Sequence, residues 1–249
     1  MKIYPLIAVS LLGVFSSFHS LSAADAVDAI APSTTSEKPY DVAPVVKRKA
    51  PVVYPYEMVL AGQSGAADVT FVVDYTGRPL FTVAEGSGDQ SFARAVVAMI
   101  EASEYSPGKK GAHRVMSPVS EHYQFDAEKT LDAEAKRVLT ELRKPQPAIL
   151  AVAELDERPK LVTQVVPVYP RAEKEDGLTG QAEIEFIVSR DGAVLFPRIV
   201  SASREDFGWA AAVAVAQWRY QAPQKNGQSV EARITVPVLF TAQRLAEAD

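Results

Sequence analysis

An internal repeat constrains the fold of this chain more than any other feature of its sequence. Tyr54-Pro55 recurs 115 positions later as Tyr169-Pro170, and the same shift relates turn glycines and aromatic residues. The further pairs in this register include Gly65 and Gly180, Phe71 and Phe186, Gly77 and Gly192, Phe92 and Phe207, Tyr105 and Tyr220, and Phe125 and Phe240. Because turn and core residues repeat together, the chain is predicted to contain two copies of one small domain, at residues 41–126 and 155–243.

Each copy is predicted to follow the order β-β-α-β. Alternating apolar residues predict half-buried strands, and Asp191-Gly192 predicts a hairpin turn because glycine adopts a positive φ at little cost. The predicted strands are Ala67–Asp74, Arg78–Val83, Met116–Phe125, Ile184–Val188, Ala193–Val200 and Val230–Phe240, and the predicted helices are Phe92–Ile100 and Phe207–Gln217. The expected fold class is therefore α+β, with two tandem domains that each pack a small antiparallel sheet on a helix.

The segments outside the two copies have a different character. Asp126 is a suitable cap for one continuous helix over Ala127–Arg143, and the prolines that follow would end it. Residues 127–154 are therefore predicted to form a helical linker, followed by a short strand near Leu161–Val166. Residues 25–40 are rich in Ala, Pro, Ser and Thr without a hydrophobic period, which indicates a flexible lead-in.

The first 24 residues have the pattern of a signal peptide. Lys2 precedes an apolar run from Leu6 to Phe15, and small residues at Ala23 and Ala24 suit cleavage by signal peptidase. The expected location is the periplasm. The alternative is a leader retained as an inner-membrane anchor, although a membrane-spanning helix needs about 20 apolar residues and this run is shorter.

Composition excludes several classes of function. The chain has no cysteine, so it has neither a disulfide nor a thiolate metal site, and its net charge of −5 with scattered Lys and Arg argues against nucleic acid as a partner. Only His113 and His122 follow the leader, and no catalytic motif of a serine hydrolase or zinc protease occurs. The sequence therefore predicts no enzyme activity, no cofactor and no metal site.

The second copy carries a family resemblance. The residues that carry it are Pro167-Val168-Tyr169-Pro170, the run Gly177–Val188, Asp191-Gly192, Gln217-Trp218-Arg219-Tyr220, Asn226-Gly227 and Val236–Phe240. In this order and spacing they resemble the TonB C-terminal domain. The first copy resembles it less, because Ser103 stands in the place of Trp218, and Pro118 and His122 are expected to interrupt the last strand.

The resemblance implies a binding function through a strand edge. Domains similar to TonB bind a short extended segment of an outer-membrane transporter by adding it to their sheet as a strand, which is β-augmentation. The edge expected here is the last strand of the second copy, and its candidate binding residues are Arg233, Ile234, Thr235, Val236, Val238 and Phe240. The implied partner is an outer-membrane TonB-dependent receptor or another envelope protein.

Three functional hypotheses follow. The first is a periplasmic binding or adaptor protein, since the leader is expected to be cleaved and the lead-in lacks the long Pro-rich spacer expected of an energy transducer. The second is an anchored TonB-type energy transducer for outer-membrane transport, with its leader retained. The third is a homo-oligomer whose edge strands serve only pairing between copies or subunits, because unpaired edges readily take up another strand.

Overall fold

The computed structural model describes residues 39–241. The predicted signal peptide and nearly all of the predicted lead-in lie outside these residues. Within residues 39–241, none of the helices has the length and apolar character of a membrane span.

The first copy folds as a three-stranded antiparallel sheet with two helices. Its strands are β1 (Val45–Arg48), β2 (Gly65–Val73), β3 (Pro79–Ser87), β4 (Glu104–Ser106), β5 (Gly108–Lys110), β6 (His113–Val115) and β7 (Ser117–Phe125), and its helices are α1 (Tyr56–Ala61) and α2 (Gln90–Glu101). The main sheet has the order β3-β2-β7, while β1 with β4 and β5 with β6 form small antiparallel ribbons. Strand β7 pairs with β2 in an unbroken register, so the expectation that Pro118 and His122 interrupt it is wrong.

The linker differs from the single predicted helix. It contains two helices, α3 (Ala127–Thr130) and α4 (Ala133–Leu142), then the two-residue strand β8 (Leu150–Ala151) and a 3-10 turn over Val152–Glu154. The helix breaks because Leu131 is extended and Asp132 caps a new helix, its carboxylate accepting from the Ala135 N–H at 2.7 Å. The buried face of α4 packs on the domains, which fixes the course of the linker.

The second copy repeats the architecture of the first. Its strands are β9 (Leu161–Thr163), β10 (Gly180–Val188), β11 (Val194–Ala202), β12 (Arg219–Tyr220), β13 (Gln224–Lys225), β14 (Gln228–Ser229) and β15 (Ala232–Phe240), and its helices are α5 (Arg171–Glu175) and α6 (Glu205–Val215). The sheet order is β11-β10-β15-β8, in which β8 joins in parallel. The predicted α+β class and tandem β-β-α-β pattern are confirmed.

The repeated aromatic residues form equivalent cores. In the first copy Tyr54, Phe92 and Phe125 meet with ring centroids 4.8–6.0 Å apart. Their counterparts Tyr169, Phe207 and Phe240 meet at 4.6–5.6 Å. Such offset and edge-on contacts stabilise a core beyond the area that they bury. The shift that relates the two copies in the sequence therefore also relates the residues of these two aromatic clusters.

One polar link is conserved in position while its chemistry differs. In the first copy the Ala50 N–H donates to the buried Ser103 hydroxyl at 3.0 Å. In the second copy the Trp218 indole N–H donates to the Val165 carbonyl at 2.9 Å. Both bonds tie the entry segment to the end of the central helix. Ser103 therefore performs the tethering role of Trp218 with a smaller side chain.

The two copies dock through their central helices. Helices α2 and α6 contact each other, and Arg94 Nε on α2 lies 2.8 Å from Glu205 Oε1 on α6. Helix α6 is buried over most of its length, which accounts for its run of small residues. On the second sheet, the Arg198 guanidinium lies over the Tyr56 ring at 5.3 Å.

Candidate functional site

The outer edge of β15 is the candidate functional site. On one side β15 pairs with β10 along its whole length. On the other side β8 pairs only with Ala232 and Arg233. In the described part of the chain, no strand pairs with Ile234–Phe240 on that outer side. The sheet therefore presents seven residues of edge beyond the point where the linker strand stops.

Two hydrogen bonds fix which backbone groups face outward. The Leu150 N–H of β8 donates to the Glu231 carbonyl at 3.0 Å, while on β10 the Gln181 carbonyl faces away from β15 and accepts from the Ser203 N–H at 2.9 Å. Backbone groups alternate in direction along a strand. The Glu231 carbonyl points outward to β8, so the backbone groups of every second residue after it also point outward. On the free edge these residues are Thr235, Pro237 and Leu239. Pro237 offers only its carbonyl, and a proline at such a position costs the sheet no hydrogen bond.

The six predicted binding residues divide between the two faces of the sheet. Ile234, Val238 and Phe240 are buried in the core, and Val236 is half-buried against it. On the opposite face, Arg233 Nη1 lies 2.9 Å from Glu185 Oε1, and Thr235 is exposed.

Of these six predicted residues, only Thr235 combines an exposed side chain with outward backbone groups that β8 does not already pair. Leu239, which sequence reasoning did not select, has the same combination and is 65% exposed. The sequence did indicate that Leu239 is exposed. In the alternation of the strand it falls on the solvent face, between Val238 and Phe240.

A buried carboxylate anchors the start of the edge strand. Glu231 is 3% exposed and pairs with Arg137 of α4 and with Arg190. The carboxylates of Glu134 and Glu231 raise the pKa of Arg137 above its ordinary value, so the guanidinium stays protonated. The side-chain pair holds α4 beside Glu231, the residue that precedes β15, and the Glu231 carbonyl also accepts from the Leu150 N–H of β8.

The last strand of the first copy presents a similar edge with different side chains. By the same register its outward positions are Pro118, Ser120, His122 and Gln124, all exposed. His122 Nδ1 lies 2.8 Å from Asp68 Oδ1, so its ring is engaged in a hydrogen bond at the surface. Among the described residues, no cluster of three potential ligands could hold a metal ion.

The sequence of this chain matches one protein family. The sequence model of the family described as "Gram-negative bacterial TonB protein C-terminal" matches residues 50–127 and residues 165–242. Among solved structures, the solution NMR structure of the Pseudomonas aeruginosa TonB CTD is 22% identical, covering 39% of this chain and 96% of that chain with a TM-score of 0.31. A search of curated proteins gives no match.

Proposed function

The chain belongs to the family of Gram-negative bacterial TonB C-terminal domains, of which it carries two copies, and on this basis we propose that it is a periplasmic binding or adaptor protein. It engages an extended segment of an envelope-protein partner by β-strand addition, and an outer-membrane TonB-dependent receptor is the first partner to test. This role requires no catalytic residue, cofactor or metal ion.

The observation that supports the proposal is the free outer edge of β15. Thr235 and Leu239 offer N–H and carbonyl groups, and Pro237 offers a further carbonyl. In β-augmentation these main-chain groups supply affinity, while exposed side chains beside them select the sequence. The exposed Leu239 side chain favours an apolar residue in the incoming segment. Strand β8 already pairs in parallel with the start of the same edge, so the incoming segment would extend that pairing along β15.

We expect Thr235→Pro to weaken partner binding while the fold is kept. Proline removes the outward N–H of Thr235 but leaves the hydrogen bonds between β10 and β15 intact. Full-length protein would be used to capture partners from outer-membrane extract, with mass spectrometry to identify them and circular dichroism to verify folding. The expected loss of the retained receptor is at least about tenfold, the effect of one or two hydrogen bonds.

The repeat supplies a matched control for this experiment. Ser120 is the counterpart of Thr235 in the first copy, and Ser120→Pro makes the same change on the other last strand. Capture that survives Thr235→Pro, or that both variants lose equally, contradicts strand addition at β15. Light scattering tests the third hypothesis, in which the edge strand pairs with a second copy of the chain. A wild-type dimer that Thr235→Pro converts to a monomer would support it.

We expect the protein recovered from the periplasm to begin at Ala24 or Asp25. Cleavage there releases the chain from the membrane and leaves a binding protein without its own coupling to an inner-membrane motor. N-terminal sequencing of the protein from separated periplasmic and membrane fractions checks this. An intact Met1 or Lys2 in the inner-membrane fraction would favour the anchored energy transducer instead.

A further inference from the structure

At one end of the first copy, separate segments of the chain meet on an exposed surface. Val42 and Lys109 of β5 exchange backbone hydrogen bonds of 2.9 and 3.0 Å. Lys109 pairs in turn with Arg114 of β6, and Arg114 Nη1 donates to the Tyr75 carbonyl in the turn after β2 at 3.3 Å. These four residues are all exposed and therefore form one continuous row on the surface.

The same surface is rich in basic side chains. Lys and Arg are scattered along the sequence, but the fold gathers several exposed ones here: Lys47, Arg78, Lys109, Lys110 and Arg114. The Arg48 guanidinium, and after it the charges of Lys47 and Arg78, lowers the pKa of Glu104, which places these groups beside the ribbon of β1 and β4. With Val42, Val45 and Tyr75 the five basic residues form the surface named here the basic end.

The carboxylates that lie at the basic end are already engaged. Asp41 Oδ2 accepts from the Gly111 N–H at 2.7 Å, and Asp74 Oδ1 accepts two backbone N–H groups of its own turn. Glu104 pairs with Arg48 at 2.8 Å. The basic end therefore keeps an excess of positive charge in a chain whose net charge is −5. Charge segregated in this way attracts an anionic partner and orients the molecule toward it.

The second copy shows that the fold does not require this charge. Its β13-β14 hairpin pairs in the same register as β5 and β6, and the Asp156 N–H donates to the Gln224 carbonyl at 2.9 Å as the Asp41 N–H does to that of Lys109. The residues that stand there for Arg78, Lys109, Lys110, His113 and Arg114 are Ala193, Gln224, Lys225, Gln228 and Ser229. The same framework thus forms with mostly neutral side chains, so the positive charge belongs to the first copy alone.

Exposed apolar side chains lie among the basic ones. Val42 is 53% exposed, Val45 61% and Tyr75 55%. Their counterparts in the second copy are the charged residues Glu157, Lys160 and Arg190, so this apolar character is also particular to the first copy. A soluble anion would gain nothing from exposed valines. A lipid surface would, because aliphatic and tyrosine side chains enter the boundary between headgroups and acyl chains while lysine and arginine reach the phosphates.

We propose that the basic end docks this protein on an anionic phospholipid surface. The basic side chains lie against the lipid phosphates, and Val42, Val45 and Tyr75 enter the interface. Such docking holds an exported protein at a membrane without a spanning helix. The basic end shares no residue with the β15 edge, so the proposal stands or falls independently of strand addition.

Flotation of the chain from Asp25 onward with lipid vesicles tests the proposal. The leader is omitted because its apolar run would itself bind a bilayer, and the two copies with their linker form one compact unit without it. Vesicles of phosphatidylglycerol and phosphatidylcholine in equal parts should bind the protein, whereas vesicles of phosphatidylcholine alone should not. Binding should weaken as the salt concentration rises.

The repeat supplies the charge variant. Lys109→Gln combined with Arg114→Ser introduces the residues of the second copy, and it should weaken binding to anionic vesicles at least about tenfold, since each charge near the surface contributes about fivefold. The matched control is Lys160→Gln combined with Lys174→Gln, which removes equal charge from exposed positions of the second copy and should bind like wild type. If the first pair fails to fold by circular dichroism, Lys47→Gln combined with Arg78→Ala decides.

The apolar contribution has its own readouts. Val42→Ser combined with Val45→Ser should weaken binding to anionic vesicles at least about threefold, because less apolar surface enters the interface. Tyr75→Trp should shift its fluorescence emission to the blue on anionic vesicles. Trp209 and Trp218 are largely buried in the second copy, so their emission should stay in place.

Several results would overturn the proposal. Absence of binding to anionic vesicles, equal binding to neutral vesicles, or an equal loss in the control pair each rules out docking through the basic end. Binding that the two serine substitutions leave unchanged and that inorganic polyphosphate displaces would show a site for soluble anions instead of a membrane.

Discussion

Gly180→Ala is expected to destabilise the second copy by about 2–4 kcal/mol, a large overpacking cost. A Cβ at this position would lie 2.4 Å from two ring carbons of Phe207 and equally close to Ser203 Oγ. Phe207 is fully buried and packs on Tyr169 and Phe240, so the ring cannot move aside without disturbing the aromatic core. Urea unfolding followed by tryptophan fluorescence measures the loss, because both tryptophans, Trp209 and Trp218, lie in the second copy.

A second glycine separates this steric effect from backbone strain. Gly177 has φ +64°, and nothing lies within 4 Å of a Cβ placed on it. Gly177→Ala should therefore cost about 1–2 kcal/mol, the strain of a left-handed alanine, without any packing loss. Equal losses in the two variants would contradict the packing explanation. The first copy offers a parallel case, because a Cβ placed on Gly65 would lie 2.3 Å from the Phe92 ring.

Glu101→Gln is expected to stabilise the folded protein at about pH 8 by roughly 2–3 kcal/mol, the free energy that corresponds to the raised pKa. Burial, Asp206 and Glu173 raise the pKa of this carboxyl from 4.5 to about 7 in the folded state. The folded protein therefore holds a proton that the unfolded chain has already released. The stability contributed by Glu101 is full below about pH 4.5 and is lost as the pH rises through about 7.

Chemical unfolding of wild type and variant at a series of pH values checks this result. Glutamine has no proton to lose, so the two stability curves should converge near pH 4.5 and separate toward pH 8. Glu85→Gln, on an exposed site, should follow wild type throughout. Parallel curves for Glu101→Gln and wild type would show that the carboxyl of Glu101 is not held in its neutral form between the copies.

The regular elements could be predicted because their signals are local. The alternation of Val69, Phe71 and Val73 predicts β2. The glycines of the two hairpin turns, Gly77 and Gly192, adopt positive φ, as their turn positions require. The helix of the linker was only partly predicted. A continuous apolar stripe favoured one helix, but the side chain of Asp132 caps a second helix and interrupts the first.

The candidate site was harder to predict than the strand that carries it. Periodicity placed β15 correctly, yet half of the residues first selected there, Ile234, Val238 and Phe240, belong to the core. Which backbone groups are free depends on the pairing partner on each side of the strand. Strand β8, which covers Ala232 and Arg233, comes from a distant segment with no strand signal of its own.

The sequence by itself determined the duplicated β-β-α-β architecture, because turn glycines, alternating strands and paired aromatic residues act over short distances and repeat at a fixed interval. Only the tertiary structure decided which part of the β15 edge stays open and where Glu101 meets Glu173. Those features arise when segments far apart in the chain pack together. Helix α6 is buried nearly all round, so its sequence does not single out the face that meets α2. Burial and charge pairing are properties of that packing, so they become visible only once the two copies are docked.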